Sequence, residues 1–265
     1  MHALYGFARY ADEIVDNGDP ATMADEFKSW EARVTAELES DSATDPVCRA
    51  MAHTLKTWKI PLNHVRAFLD SMRADLTVSE YETYEDLRGY MYGSAAVIGL
   101  QMLPILEPAG DDAYEPAQAL GEAFQLTNFI RDIAEDLAMG RVYLPQEDLG
   151  RFGVTKADLV AGVVTPEIKA LLCFQIDRAR KLYVQADTGI RMLHPSSRPC
   201  IETARALYSG ILTVVERADY RIFDRRVTVG LGRRVATALP AYLRARRHWK
   251  STPPPVVGSL PSGQD

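Results

Sequence analysis

The sequence predicts an all-α protein, a helical bundle around a central cavity, and three observations carry the all-α part of that expectation. Apolar residues recur at three- and four-residue spacing through most of the chain. Runs of alternating polarity are lacking, and acidic side chains inside otherwise apolar segments repeat one helical turn apart. With 265 residues, 47% of them hydrophobic and 25% charged, the chain has enough apolar mass for one large domain.

Ala3 to Val15 turns Leu4, Phe7, Ala8, Ala11 and Ile14 away from a polar face carrying Arg9, Asp12 and Asp16, and Asn17-Gly18-Asp19-Pro20 stops it. Thr22 to Leu38 and Pro46 to Trp58 form the next two helices. In Pro61 to Leu76 the residues Leu62, Val65, Phe68, Leu69 and Met72 keep the i, i+3, i+4 rhythm, and the proline suits a first turn. Tyr84 to Leu103 is apolar nearly all round, which places it at the centre of the bundle. Its small residues Gly93, Ser94, Ala95, Ala96 and Gly99 serve close helix packing or leave room for a ligand. The longest apolar run, Ser94 to Leu106, is interrupted by Gln101 and is too short to span a bilayer. Asp111 to Ala138 follows, then a tight exit over Gly140 to Pro145, long amphipathic helices over Pro166 to Leu193 and Pro199 to Phe223, and a last helix over Val229 to Lys250. Residues 251–265, with Pro253-Pro254-Pro255, read as a disordered tail beyond a domain over residues 1–250.

A net charge of −6 argues against nucleic acid as a partner. The sign is uneven: Arg217 to Lys250 holds ten Lys or Arg against two Asp, leaving the rest near −14. That basic end suits diphosphates or the surface of an anionic membrane, so peripheral membrane contact through the last helix is an expectation. Cys48, Cys173 and Cys200 form no Cys-x-x-Cys pair, which fits a reducing cytoplasm and speaks against a zinc site. No secretory signal opens the chain, and none of the five histidines has a partner at ligand spacing.

Two acidic sets stand out. Gln125-Leu126-Thr127-Asn128-Phe129-Ile130-Arg131-Asp132-Ile133-Ala134-Glu135-Asp136 stacks Gln125, Asn128, Asp132 and either Glu135 or Asp136 on one helical face. Asp12 and Asp16 repeat the pattern near the start, with Arg9 one turn earlier. Such pairs are common on solvated faces, but aspartate is a poor helix former and here lies among apolar residues rather than lysines. Oxygen ligands from two facing helices would suit Mg²⁺, or Mn²⁺ in its place, completed by phosphate oxygens. Arg9, Arg131 and Arg225-Arg226 would grip a diphosphate, and the cluster would then favour its departure, leaving an allylic cation in a dry cavity. Tyr5, Tyr92 and Tyr208, taken singly, read as core tyrosines.

Leu4-Tyr5-Gly6-Phe7-Ala8-Arg9-Tyr10-Ala11-Asp12-Glu13-Ile14-Val15-Asp16 resembles the first Asp-rich signature of the phytoene/squalene synthase family, the head-to-head prenyl synthases. Asn128 to Asp136, running on to Gly140-Arg141-Val142-Tyr143-Leu144-Pro145, is similar to the second, and Tyr90 to Gly99 and Ser71 to Leu76 also match the pattern. The similarity covers roughly Met1 to Trp249. The resemblance implies an isoprenoid synthase fold. It implies Mg²⁺ on Asp12, Asp16, Asn128, Asp132 and Asp136, and prenyl diphosphate on Tyr5, Arg9, Gln125, Arg131, Tyr208 and one of Arg225 and Arg226. Tyr92 falls where the family often has a cavity tyrosine proposed to act on the cyclopropyl intermediate.

The implied reaction joins two geranylgeranyl diphosphates into phytoene. A nicotinamide-binding signature is missing, so NADPH is not expected and squalene formation is the lesser reading. Farnesyl diphosphate coupling to squalene or dehydrosqualene, a class I terpene cyclase, and a non-catalytic scaffold member of the fold are the competitors. Family members usually carry a further N-terminal segment with a Ser-Phe pair, and here the chain starts at the first signature.

Overall fold

Leu4, Phe7, Ala11 and Val15 recur at helical spacing and are all buried, so the first segment folds as α1 (His2–Asn17) with its acids on another side. The computed structural model describes residues 1–40, 42–224 and 226–251. Arg225 and most of the tail expected over 251–265 therefore lie outside the described residues. Next come α2 (Met23–Ser40), α3 (Pro46–Trp58) and α4 (Leu62–Ala74). Asp45 caps α3, its carboxylate accepting from the Val47 and Cys48 backbone N–H groups at 2.8 and 3.1 Å. Phe7, Phe27, Trp30, Met51 and Phe68 interlock in a core shared by these four helices.

The expected central helix is present but is not uniform. Thr83 opens α5 (Tyr84–Met91) with a capping box, a π-wound turn spans Tyr92–Ala96, α6 (Val97–Met102) resumes the regular helix, and a 3₁₀ turn closes it over Leu103–Leu106. Close packing accounts for the wide turn. A Cβ on Gly93 would lie 2.1 Å from the Ala67 carbonyl oxygen of α4, and the Ser71 hydroxyl donates at 2.9 Å to the Tyr90 carbonyl just before the turn. On the opposite side Gly121 presses on the Ala95 carbonyl, where a Cβ would lie 2.5 Å away. Larger residues at either glycine would push the central segment off its neighbours. Tyr84–Leu106 is long and apolar enough to cross a membrane, yet it runs between α4 and α7 and feeds the cores on both sides.

The segment expected as one helix over Asp111 to Ala138 divides into a short 3₁₀ turn at Asp111–Ala113, α7 (Tyr114–Arg131) and α8 (Ile133–Ala138). The break falls on Asp132 (φ −102°, ψ 13°). On an unbroken helix adjacent side chains diverge. The break lets Arg131 fork the carboxylate of its own neighbour, Asp132.

Two short helices, α9 (Gln146–Phe152) and α10 (Lys156–Val160), follow between the exit and Pro166, a stretch for which no helix was expected. Long helices α11 (Pro166–Ile190) and α12 (Arg198–Arg217) pack on α7, and α13 (Leu231–Ser251) lies on α12. Leu126, Ile130, Leu172, Ile176 and Leu212 belong to this second core. Among the described residues the strand-like pairing is a single isolated bridge, Glu80 to Val142, which ties the loop after α8 to the one before α5. The bundle is thus two half-bundles, α1–α4 and α7–α12, joined along the central segment.

Candidate active site

The acids of α1 and those of α7–α8 come together at the seam of the half-bundles, with Asp75 from the end of α4 between them. Asp12 is half-buried; burial, then the charge of Asp16, pushes its carboxyl up to about 6 against the opposing pull of Arg9. Arg9 itself pairs with Glu13 at 2.7 Å. Asp16 accepts from Arg141 Nη1 at 3.1 Å. Asp136 is pushed up to about 7 by burial and by Asp132, with Arg141 opposing and Glu135 and Asp16 adding to the rise. Asp16 and Asp136, from different half-bundles, therefore feel each other's charge.

Asp132 is held by Arg131 and, at 2.9 Å, by Arg226, whose Nη1 also lies 3.4 Å from Glu135. Asn128 Nδ2 lies 3.5 Å from Gln125 Oε1. The Asn128 Oδ1 atom is buried with no hydrogen-bond partner. Among the described residues no three Asp, Glu, His or Cys side chains converge tightly enough to hold an ion alone. Arginines hold two of the acids instead, Arg141 on Asp16 and Arg131 with Arg226 on Asp132. The donor set is all oxygen, which suits a hard divalent ion, and the orphaned Asn128 oxygen is one that such an ion would satisfy.

Below the acids lie two apolar hollows. One, of about 340 Å³, runs between α6, α7, α11 and α12 and is lined by Gly99, Gly121, Phe124, Gln125, Ile190 and Ile201 among others. The other, of about 420 Å³, opens beside α1 against Tyr5, Ala8, Asp12 and Phe68. They share Ser94, Ile98 and Met102 as a common wall. Tyr5, 71% exposed, stands at the second hollow's mouth, and Tyr208 packs its ring 4.4 Å from that of Phe124 in the wall of the first.

Tyr92 is not with this group, which corrects its expected place. It lines a shallow surface depression with Ala67, Asp70 and Gly89, and lines neither hollow. The tyrosine two residues earlier points inward instead. Buried Tyr90 donates its hydroxyl to Asp75 at 2.9 Å, and Tyr143 donates to the same carboxylate at 3.2 Å. Arg141 Nη2 donates to the Asp75 carbonyl at 3.2 Å, and Phe129 stacks on Tyr143 at 4.2 Å. Burial lifts the Asp75 carboxyl to about 6 in spite of those donors. Asp75, Arg141 and Tyr143 all lie in segments that matched the family pattern, and that was the signal available for them. Tyr90→Phe removes a donor to a buried acid and is expected to lower turnover by about tenfold or more, with Tyr92→Phe within about twofold. Steady-state rates of the two variants decide it, and an equal loss in Tyr92→Phe would return the role to that residue.

An all-α fold with opposed acidic helices above paired greasy hollows defines a prenyltransferase of the isoprenoid synthase type. The chain belongs to the squalene/phytoene synthase family, whose model matches residues 1–233. It is 37% identical over 257 residues to the 15-cis-phytoene synthase of Synechocystis sp., covering 92% of this chain and 76% of that relative. To the phytoene synthase of Arthrospira platensis it is 35% identical over 258 residues, 92% of this chain and 83% of the relative. Among solved structures it is similar to a ligand-bound dehydrosqualene synthase, with a TM-score of 0.82, 30% identity and coverage of 94% of this chain and 86% of the other. Squalene synthase HpnC from Alicyclobacillus acidocaldarius follows at a TM-score of 0.75 and 29% identity, covering 82% of each chain.

Proposed function

We propose that the protein joins two molecules of geranylgeranyl diphosphate head to head into phytoene, with Asp12, Asp16, Asn128, Asp132 and Asp136 as ligands of Mg²⁺. The observation that carries this reading is the pair of hollows meeting at Ser94, Ile98 and Met102 beneath one set of acids. Two prenyl chains laid in them would bring their reactive ends to the same place. Bound Mg²⁺ would neutralise diphosphate charge and ease its departure.

The chain's own residues do the rest. Arg131, Arg141 and Arg226 are already at the acids and can turn their forks to diphosphate oxygens. Gln125 stands at the border between the polar group and the first hollow, and Tyr5 at the mouth of the second. The apolar walls exclude water while the allylic cation, freed of its diphosphate, alkylates the second double bond and the adduct loses a proton to close the ring of a cyclopropylcarbinyl diphosphate. After the second ionisation and rearrangement, proton loss ends the sequence with no reductant needed. Asp75, held by Tyr90 and Tyr143, lies within reach of the Asp16 charge and accepts Arg141 at its carbonyl, so it helps to set that arginine beside the acids.

Farnesyl diphosphate coupling is the second reading, supported by the similarity to the dehydrosqualene synthase. Farnesyl and geranylgeranyl diphosphates offered in competition, with Mg²⁺ and with or without NADPH, separate the two by product. The expected product is phytoene, unchanged by NADPH. A hydrocarbon built from two farnesyl units selects the second reading, and a cyclic product from one prenyl chain rejects both.

A further inference from the structure

The two hollows share a wall of Ser94, Ile98 and Met102, and of these Ser94 alone carries a hydroxyl. Among the described residues it is also the one polar side chain that lines both. Its neighbours along the central segment fix its level. One turn earlier Tyr90 gives its hydroxyl to Asp75 beside the acids, and one turn later Ile98 is apolar wall. Ser94 therefore stands where the polar group gives way to grease.

The Ser94 hydroxyl oxygen is buried and has no hydrogen-bond partner. A hydroxyl inside a helix commonly returns to the carbonyl four residues back, as that of Thr127 does to Ala123 at 2.7 Å in α7. For Ser94 that carbonyl belongs to Tyr90, and it already accepts the Ser71 hydroxyl of α4 at 2.9 Å. The π-wound turn over Tyr92–Ala96 carries Ser94 in this position. A buried donor without an acceptor is costly to a fold, so the acceptor is to be sought in the ligand.

The choice of acceptor rests on the head-to-head reading above and holds for either chain length. In the cyclopropylcarbinyl diphosphate both prenyl chains branch from one three-membered ring, and the carbon–oxygen bond that breaks next is one carbon from that ring. With one chain in each hollow, that bond lies at the wall the hollows share. Its rupture sends the electron pair to the ester oxygen of the diphosphate, where negative charge grows, and no oxidant or reductant takes part.

We propose that the Ser94 hydroxyl donates a hydrogen bond to that ester oxygen and so favours the second ionisation. The serine keeps its proton. Diphosphate leaves with the electron pair, and the cation rearranges before losing a proton of its own. Because the bond strengthens as charge builds on the oxygen, its loss falls on this step rather than on binding.

Rapid-quench turnover of geranylgeranyl diphosphate by the full chain with Mg²⁺, with farnesyl diphosphate in a parallel arm, tests this through the ratio of hydrocarbon to cyclopropylcarbinyl diphosphate recovered. Ser94→Ala is expected to lower that ratio by about tenfold or more. Valine and threonine match in shape but not in the hydroxyl, so Ser94→Val should fall with the alanine variant while Ser94→Thr returns the ratio to within about threefold of the parent. Since the hydroxyl has no partner in the fold, Ser94→Ala should melt no lower than the parent in calorimetry. An unchanged ratio in Ser94→Ala, equal ratios in the valine and threonine variants, or an alanine variant that melts well below the parent would each overturn the proposal. A parent that makes no head-to-head product overturns the functional reading and this inference together. A parent that makes it while the alanine ratio stands still overturns the inference alone.

Discussion

Asp132→Ala is expected to lower turnover by about three orders of magnitude, and Asp12→Ala by a similar factor, the scale on which loss of a pre-placed electrostatic partner to a departing anion is felt. Asp132 sits at the break between α7 and α8, held by Arg131 and Arg226. Removing it takes away a proposed metal ligand and also leaves two guanidinium groups without their shared acid. Asp12 comes from the other half-bundle, and with the second hollow at its foot it answers for the other side of the same charge. Steady-state rates on geranylgeranyl diphosphate with Mg²⁺, alongside circular dichroism to show that the helices persist, give the answer. Activity within tenfold of the parent in either variant would mean that the ions are held elsewhere.

Thermal stability of the metal-free protein is expected to fall as pH rises from about 4 to about 8, and Mg²⁺ with inorganic pyrophosphate is expected to restore it at the upper end. Asp12 and Asp75 keep their protons to about 6 and Asp136 to about 7, all above the 3.8 of a free aspartate. These groups bind protons more tightly folded than unfolded, so their contribution is whole below about 4 and is lost through about 7. A shift of about two units is worth roughly 3 kcal/mol, which in a chain of this size moves the melting temperature by on the order of 10 °C. Cations oppose the loss by taking the place of the protons, so their effect should be large at pH 8 and small at pH 5. Scanning calorimetry across that range measures both. A flat profile, or equal stabilisation by the ions at both ends, would show that these carboxyls do not share a common field.

Much of the fold was legible because its helices are amphipathic in the ordinary way. The buried row Leu4, Phe7, Ala11 and Val15 and the rhythm of Val65, Phe68, Leu69 and Met72 state their own periodicity. What was not legible is where the winding changes. Neither proline nor glycine marks the break at Asp132, and the pairing of neighbours that accompanies it, Arg131 with Asp132, is one that periodicity does not encode. The Tyr90 and Tyr92 exchange is of the same kind: two residues two apart on a helix point to opposite sides, and which one faces inward depends on how Gly93 seats against Ala67. The acids and arginines could be read directly, since charged side chains in apolar helices need a reason. Asp75 and Tyr143 could be noticed as members of matching segments, but their meeting is a tertiary fact made by loops that sequence spacing leaves open.

The half-bundles have separate cores, and each contributes carboxylates to a single space between them. The reaction chamber is therefore a joint rather than a hole drilled in one block. Whatever fills it works as mortar as well as cargo, and part of the grip on the ligand is spent holding the masonry together.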